Sequence, residues 1–256
     1  YTPPAGFASP AVPVHKGSTV FFDNVAAMRS RTWLDRSAYT YGLHGTPTRF
    51  TLEERIATLE GGKHTMLVSS GLAAVTMVDI ALLKSGDQVL LPHNVYGPNK
   101  NFTRTELAAW GIHHAIYDAM DASSLAAAIT PATKLVWLEA PGSVTLEFPD
   151  LRRLIATVRE RAPQAVIALD NTWGAGIAFD AFALGIDVTV HALTKYPSGG
   201  GDVLMGAVTC RGDDDGESLY RTLALSRSRV GHGVGINDVE LVLRALPSMA
   251  LRYAAQ

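Results

Sequence analysis

Short apolar segments alternate with helical segments along most of this chain, and this alternation restricts its fold more than any other feature. The apolar segments have the length of strands and lie at 88–91, 112–117, 134–138, 165–169, 188–192 and 205–208. Helical segments stand between several of them, at 71–84, 101–110, 122–129 and 149–161. This order predicts an α/β layered domain with a mainly parallel sheet flanked by helices.

The alternation does not extend over the whole chain, and its limits predict three parts. Residues 1–46 are rich in Pro, Gly, Ser and aromatic residues without lasting periodicity, so we expect an extended N-terminal arm. Residues 47–245 are predicted to form a large domain, whose last helix begins at Asn237 with Glu240 in capping-box spacing. We expect residues 246–256 to begin a small C-terminal domain that is missing from the sequence.

Composition excludes several classes of function. The 256 residues carry a net charge of −2 and no basic stripe, which argues against nucleic-acid binding. The apolar runs are too short to cross a bilayer, so no membrane association is expected. Cys210 is the only cysteine, which excludes a disulfide framework and a zinc cluster and favours a reducing, cytoplasmic compartment. A charged fraction of only 18% favours an oligomer.

Two charged residues follow buried strands at what should be one edge of the sheet. Asp170 comes directly after 165–169, and Lys195 comes just after 188–192. The carboxyl ends of parallel strands form the ligand-binding edge of α/β proteins. A lysine amine that can bond to a cofactor aldehyde, with a carboxylate for a pyridine nitrogen, is the minimum set for pyridoxal 5'-phosphate (PLP). The residues therefore predict a PLP site, with Lys195 as the covalent carrier.

A phosphate site is predicted where Ser70-Gly71-Leu72 leads into the helix at 71–84. Free backbone N–H groups and the positive end of the helix dipole attract anions there. Other glycine-rich segments do not match phosphate loops. Residues 199–201 lack the Gly-Lys-Ser/Thr ending of a P-loop, and residues 174–176 lack the third glycine of a dinucleotide fingerprint.

The remaining polar clusters are predicted to be structural. The Asp-Asp-Asp-Gly run at 213–216 lacks the rest of a calcium loop and is predicted to form a solvated turn. His113 and His114 would point to opposite faces of a strand and could not share a metal. His191 is expected in the core or behind the site, and Cys210 is expected to be a buried thiol. No metal is therefore expected.

Several motifs together resemble a known family, over nearly the whole chain. They are Tyr41-Gly-Leu-His-Gly-Thr-Pro-Thr48, Leu59-Glu-Gly-Gly62, Gly86-Asp-Gln-Val-Leu90, Leu138-Glu-Ala-Pro-Gly-Ser143, Asp170-Asn-Thr-Trp-Gly-Ala-Gly176, Gly185-Ile-Asp-Val188 and Thr194-Lys-Tyr196. The chain resembles the Cys/Met-metabolism (transsulfuration) PLP enzymes, which implies the aspartate-aminotransferase type of PLP-dependent transferase fold. The Asp-Asn-Thr-Trp and Pro-Gly-Ser motifs resemble the branch of bacterial cystathionine β-lyases.

The resemblance implies roles for residues around the cofactor ring. Lys195 would bind the cofactor covalently and then move the substrate protons, as the main catalytic residue. Asp170 would pair with the pyridine nitrogen. Tyr96 would stack on the ring and take part in catalysis. Ser143 stands at a substrate-binding position.

The resemblance also implies how the phosphate is held. Gly71 and Leu72 would offer backbone N–H groups, and Thr194 its hydroxyl. Tyr41 would reach the phosphate, and the catalytic site, of a neighbouring subunit. The resemblance therefore implies a homo-oligomer, at least a dimer and typically a tetramer.

Some positions depart from the family pattern. Leu43 stands where the family has an arginine that contacts the phosphate, and His44 beside it is not expected to replace that arginine. Ala192 stands where many members have a phosphate-binding serine. Gly200 and Gly201 replace the more usual His-Ser.

The activity implied by the resemblance is β-elimination from L-cystathionine, which gives homocysteine, pyruvate and ammonia. Cysteine and its S-conjugates are further possible substrates. A γ-acting relative, such as methionine γ-lyase or cystathionine γ-synthase, and a PLP-binding protein without turnover remain alternatives. The family binds the substrate carboxylate through an arginine of a C-terminal domain. Arg227, Arg229, Arg244 and Arg252 match it by charge only, so we do not expect residues 1–256 to complete the reaction alone.

Overall fold

The structure is a computed structural model, and it describes residues 10–34, 36 and 38–256. Seven strands of this described part form one sheet in the order β1-β7-β6-β5-β4-β2-β3. They are β1 (His64–Val68), β2 (Gln88–Pro92), β3 (His113–Tyr117), β4 (Thr133–Glu139), β5 (Val166–Asp170), β6 (Val188–Ala192) and β7 (Gly206–Cys210). Strands β3, β2, β4, β5 and β6 pair in parallel, while β7 pairs antiparallel with both β6 and β1. The predicted mainly parallel sheet is therefore confirmed.

Helices cover both faces of this sheet. They are α1 (Val25–Arg29), α2 (Pro47–Glu60), α3 (Gly71–Leu82), α4 (Gly97–Phe102), α5 (Ala122–Ala128), α6 (Leu151–Arg161), α7 (Asp214–Val230), α8 (Ile236–Ala245) and α9 (Met249–Ala254). A π-helical turn, Thr103–Leu107, continues α4, and a 3-10 turn, Leu246–Ser248, joins α8 to α9. Among the helices described, none is long and apolar enough to cross a membrane.

The core lies on both sides of the sheet because neighbouring residues of a strand point to opposite faces. In β4, Trp137 packs in the cluster beneath α3 and α7, whereas Val136 packs in the cluster beneath α5 and α6. A third cluster joins α2 and α8 to β7 and to Leu193. Burial on both faces explains why the strand segments are apolar almost throughout.

The largest error of the sequence-based prediction is at α7. Residues 213–216 were predicted to form a solvated turn, but Asp213 is the N-cap of this helix. Its Oδ1 accepts a hydrogen bond of 2.8 Å from the backbone N–H of Gly216. Three acidic residues near a helix N-terminus interact favourably with the helix dipole, which is the physical reason for this sequence.

Strand β1 was also missed by the sequence-based prediction, because it pairs with β7, which is distant in sequence.

Smaller differences concern the ends of elements. The last predicted helix begins at Ile236, one residue early, with Gly235 as its N-cap and no capping hydrogen bond from a side chain. Helix α4 begins at Gly97 instead of at residue 101, because Pro98 is favourable in the first turn of a helix. Cys210 is buried at the end of β7, as predicted.

The N-terminal arm is described from residue 10 onward, and residues 1–9 of the predicted arm lie outside the described part. Between 10 and 46 the described chain contains one short helix, α1, which buries no residue. The arm is tied to α2 at Thr48, whose hydroxyl donates to the carbonyl of Pro13 (2.9 Å) and accepts from the N–H of His15 (2.8 Å). The limits of the three predicted parts, 1–46, 47–245 and 246–256, stay predictions.

Candidate active site

A cavity of about 870 Å³ opens at the carboxyl ends of β4, β5 and β6. The start of α3, the loop after β2 and the last residues of the chain complete its wall. Seven of the eight residues selected from the sequence line it, namely Gly71, Leu72, Tyr96, Ser143, Asp170, Thr194 and Lys195. Residues from five separate segments therefore meet in one place, as predicted for the carboxyl edge of a parallel sheet.

Lys195 and Thr194 lie in the turn that follows β6. The backbone N–H of Lys195 bonds to the carbonyl of Ala192 (3.1 Å), and its carbonyl accepts from Gly199 (2.9 Å), so the turn closes around the lysine. The hydroxyl of Thr194 accepts from the N–H of Met205 (3.2 Å). The lysine thus enters the cavity from a turn whose backbone is fixed at both ends.

Asp170 ends β5 and is nearly buried, with 9% of its surface exposed. Its Oδ1 accepts from the backbone N–H of Thr172 (3.0 Å). Burial raises the pKa of this carboxyl, while Thr172 and the neighbouring His191 act in the opposite direction. A buried carboxyl that lines a ligand cavity is suited to a cationic group such as a protonated ring nitrogen, because pairing would offset the cost of burying its charge.

A buried polar network centred on Glu60 lies beside Asp170. His191 is buried, as expected, and its Nδ1 lies 2.7 Å from Oε1 of Glu60. The other oxygen of Glu60 accepts from Nδ2 of Asn171 (2.7 Å) and from the hydroxyl of Thr189 (3.1 Å). This network ties the end of α2 to the ends of β5 and β6, next to Asp170.

The start of α3 is built for an anion. The side chain of Ser70 caps the N–H of Ala73 (3.0 Å), and the N–H of Ala74 makes the first bond within the helix, to the carbonyl of Ser70 (3.1 Å). The N–H groups of Gly71 and Leu72 precede these and lie at the positive end of the helix dipole. A Cβ at Gly71 would approach the Cβ of Ala192 to 2.7 Å, so only glycine allows the helix to begin this close to β6. These features fit the phosphate of PLP.

Tyr96 and Ser143 enter the cavity from the loops that follow β2 and β4. Tyr96 precedes α4, with its side chain partly exposed, and Ser143 follows the cis peptide bond between Ala140 and Pro141. The backbone N–H of Tyr96 donates to Oε2 of Glu139 (2.7 Å), and Glu139 also lines the cavity. Sequence reasoning missed Glu139, although it ends a buried strand as Asp170 does, and that signal could have identified it.

Tyr41 is the one selected residue that lies outside the cavity lining within the described part of the chain. It is half exposed and meets the ring of His44 edge-on, at 5.7 Å. Next to it, the carbonyl of Leu43 accepts from Arg49 (2.7 Å) and Arg227 (2.8 Å). The turn that carries Tyr41 is therefore held firmly on the protein surface.

Of the four arginines considered for a substrate carboxylate, only Arg252 lines the cavity. Its guanidinium donates to the carbonyls of Tyr196 (2.6 Å) and Ala245 (3.1 Å), so it is already bonded to the backbone. Arg227 is buried elsewhere, against Leu43. Sequence reasoning had no signal that placed α9, and with it Arg252, against the turn after Lys195.

Comparisons with known proteins agree with this geometry. The sequence model of the family described as Cys/Met metabolism PLP-dependent enzyme matches residues 2–256. The chain is 36% identical to "Cystathionine beta-lyase MetC" of Escherichia coli, over 93% of this chain and 60% of that protein. It is 35% identical to "Cystathionine beta-lyase" of Bordetella avium, over 99% of this chain and 63% of that protein.

A solved structure gives the same result for the fold. The crystal structure of metB from Corynebacterium glutamicum superposes with a TM-score of 0.87 at 27% identity, over 98% of this chain and 62% of that one. The chain thus spans about 60% of the length of these relatives. The predicted fold class and the predicted cofactor, PLP, are confirmed, and the chain belongs to the family of Cys/Met metabolism PLP-dependent enzymes.

Proposed function

We propose that this protein is a PLP-dependent carbon–sulfur β-lyase that cleaves L-cystathionine to homocysteine, pyruvate and ammonia. The observation that carries the proposal is that Lys195, Asp170 and the N-terminus of α3 share one cavity. The choice of substrate is supported by the similarity to proteins named cystathionine beta-lyase in Escherichia coli and Bordetella avium.

Each group in the cavity has a place in holding the cofactor. The N–H groups of Gly71 and Leu72 would hold the phosphate, with the hydroxyl of Thr194 beside them. Asp170 would hold the proton of the ring nitrogen, and Tyr96 would lie against the ring. When bound, PLP supplies an electron-accepting ring that stabilises negative charge at the substrate Cα.

Lys195 is the residue that moves protons in the proposed reaction. With substrate bound, the amine of Lys195 would be free to act as a base. Nζ of Lys195 then takes the proton from Cα, and the Cβ–S bond breaks with transfer of a proton to the leaving sulfur. Homocysteine departs, and the remaining three-carbon fragment takes up water to give pyruvate and ammonia. Ser143 lines the same cavity and would contact the substrate.

We also propose that the protein is a cytoplasmic homo-oligomer, most simply a dimer-built tetramer. The position of Tyr41 supports this proposal, because its side chain is half exposed and lies outside the cavity of its own chain. The single, buried thiol of Cys210 is compatible with a reducing compartment.

The test is to identify the products formed from L-cystathionine by the purified full-length protein loaded with PLP. Pyruvate together with homocysteine is expected. 2-Oxobutyrate together with cysteine would instead show a γ-acting lyase. Bound PLP without any keto acid, from cystathionine or from cysteine, would show a PLP-binding protein without turnover. Lys195→Ala, which lacks the catalytic amine, is the negative control.

A further inference from the structure

Glu139 lies beside Asp170 at the carboxyl edge of the sheet. Strands β4 and β5 run parallel, and their register places the two residues directly opposite each other. Both side chains line the cavity, and Glu139 is only 3% exposed. The mechanism proposed above uses Asp170 and leaves Glu139 without a role.

The carboxyl group of Glu139 connects two loops of the cavity wall. Its Oε2 accepts a hydrogen bond of 2.7 Å from the backbone N–H of Tyr96, in the loop after β2. The backbone N–H of Ser143, in the loop after β4, faces the same carboxyl and favours its charged form. The residue next to the cofactor ring and the residue at the substrate position are thus held by one side chain.

The surroundings of the two carboxyl groups are unequal. Burial and the charge of Glu60 raise the pKa of Asp170, but the N–H and hydroxyl of Thr172 and the nearby His191 lower it and favour the charged form. On Glu139, the charged groups of neighbouring elements are Asp170 from β5 and Lys100 from α4. Burial and the charge of Asp170 raise the pKa of Glu139 well above its usual range, and the backbone N–H groups and Lys100 offset only part of this. Two adjacent buried carboxyls rarely ionise together, so the proton of this pair belongs on Glu139.

We propose that Glu139 is a positioning residue, which as a neutral acid ties the Tyr96 and Ser143 loops together and leaves the negative charge of the pair on Asp170. The inference rests on the proposed function, since it concerns the same cofactor site. It predicts that a neutral side chain of the same shape can replace Glu139, provided that it keeps an oxygen as acceptor.

The test compares Glu139→Gln with Glu139→Ala in the full-length protein. Glutamine keeps the acceptor oxygen and lacks the charge, so PLP should bind with a Kd within roughly threefold of that of the parent. Alanine removes both loop contacts, so the Kd for PLP should rise by roughly tenfold or more. The same order is expected for KM in the pyruvate assay. Glu160→Gln, on the exposed surface of α6, is the matched control.

The outcomes separate this inference from the proposed function. If the parent protein binds no PLP, the proposed function fails. If the parent binds PLP but Glu139→Gln loses as much affinity as Glu139→Ala, the charge of Glu139 is needed and the inference is wrong. Parent-like binding by Glu139→Ala would equally overturn it. Thermal melting of the cofactor-free variants identifies any variant that does not fold. If Glu139→Ala does not fold, the Kd of Glu139→Gln for PLP decides: a value within roughly threefold of that of the parent supports the inference, and a weaker one contradicts it.

Discussion

Nε1 of Trp137 donates a hydrogen bond of 2.9 Å to Oδ1 of Asp79, and both side chains are fully buried between α3 and β4. The other oxygen of Asp79 has no hydrogen-bond partner within the described structure. Burial raises the pKa of Asp79 to about 7, and the bond from Trp137 lowers it only in part. A carboxyl group inside the apolar core is therefore in its neutral form over much of the acidic range.

This pair predicts how the folding stability depends on pH. The folded-state pKa of Asp79 lies above its ordinary value of 3.8, so the neutral form stabilises the fold. That contribution is complete below pH 3.8 and is lost as the pH rises through about 7. Asp79→Asn should remove this pH-dependent loss of stability. Between pH 3.8 and about 7, the free energy of unfolding measured with urea should therefore fall less for Asp79→Asn than for the parent. Asp23→Asn, on the exposed arm, is the control, and parallel pH profiles for Asp79→Asn and the parent would contradict the prediction.

Lys195 should be the residue to which the cofactor is fixed. Borohydride reduction of the PLP-loaded protein followed by peptide mapping should place the label on Lys195. Lys195→Ala should lose both the label and turnover, because no other amine is held in the turn after β6. Label on Lys63, Lys84 or Lys134 would show that the covalent carrier lies elsewhere.

Asp170→Asn should slow turnover strongly. The substitution keeps the acceptor for the N–H of Thr172 and removes the negative charge that would hold the ring-nitrogen proton. Electrostatic partners of this kind contribute several kcal/mol in the transition state, so kcat should fall roughly 10²-fold or more. Asp180→Asn is a matched control, since Oδ1 of Asp180 also accepts a backbone N–H, from Ala183, on the surface. Near-normal turnover of Asp170→Asn would mean that another group meets the ring nitrogen.

Leu43→Arg should tighten the binding of PLP in the oligomer. A charge-assisted, bidentate contact to the phosphate would be added where the family has an arginine. The backbone at Leu43 is already fixed by Arg49 and Arg227, so the new side chain would start from a defined position. The Kd for PLP should fall several-fold, whereas the uncharged Leu43→Met should leave it unchanged. Equal or weaker binding by Leu43→Arg would show that another residue already fills this role.

Glu53 should contribute strongly to the stability of the fold. It accepts two hydrogen bonds from Arg49 (2.8 and 2.7 Å) and forms an ion pair with Arg36 (3.2 Å). Burial alone would raise its pKa, but Arg49 and Arg36 outweigh burial and lower it. Glu53→Gln would leave buried guanidinium groups without a counter-charge, which typically costs about 3–5 kcal/mol. Chemical denaturation should show this loss, and the exposed neighbour Glu54→Gln should show little.

The sign of the pH effect at Glu53 is opposite to that at Asp79. The folded-state pKa of Glu53 is lower than its ordinary value of 4.5. The stabilisation that the charged carboxylate provides is therefore present above pH 4.5 and is lost as the pH falls through the folded-state pKa. The parent protein should therefore lose stability in acid, and Glu53→Gln should lose less. A parent and variant with the same acid midpoint would argue that the arginines are neutralised by another group.

Local patterns in the sequence determined the layered fold and the edge at which the site lies. The apolar segments that precede Asp170 and Lys195 can each be recognised within one short stretch of sequence. Because the two strands are parallel, their carboxyl ends lie at the same edge of the sheet. The start of α3 could also be predicted, because Ser-Gly at a helix N-terminus is a short-range signal. The run at 213–216 was misread because Asp at a turn and Asp at an N-cap use the same side-chain chemistry.

Only the tertiary structure decided which distant groups meet. Glu139 joins the cavity because the register of β4 on β5 sets it opposite Asp170. Arg252 reaches the cavity wall because α9 packs against the turn that contains Lys195. The hydrogen bond from Arg252 to the carbonyl of Tyr196 joins residues that are 56 positions apart in the sequence. Glu53 is surrounded by arginines from the arm, from α2 and from α7. Such contacts depend on strand register and helix docking, which the long-range burial of apolar surface fixes and no local pattern encodes.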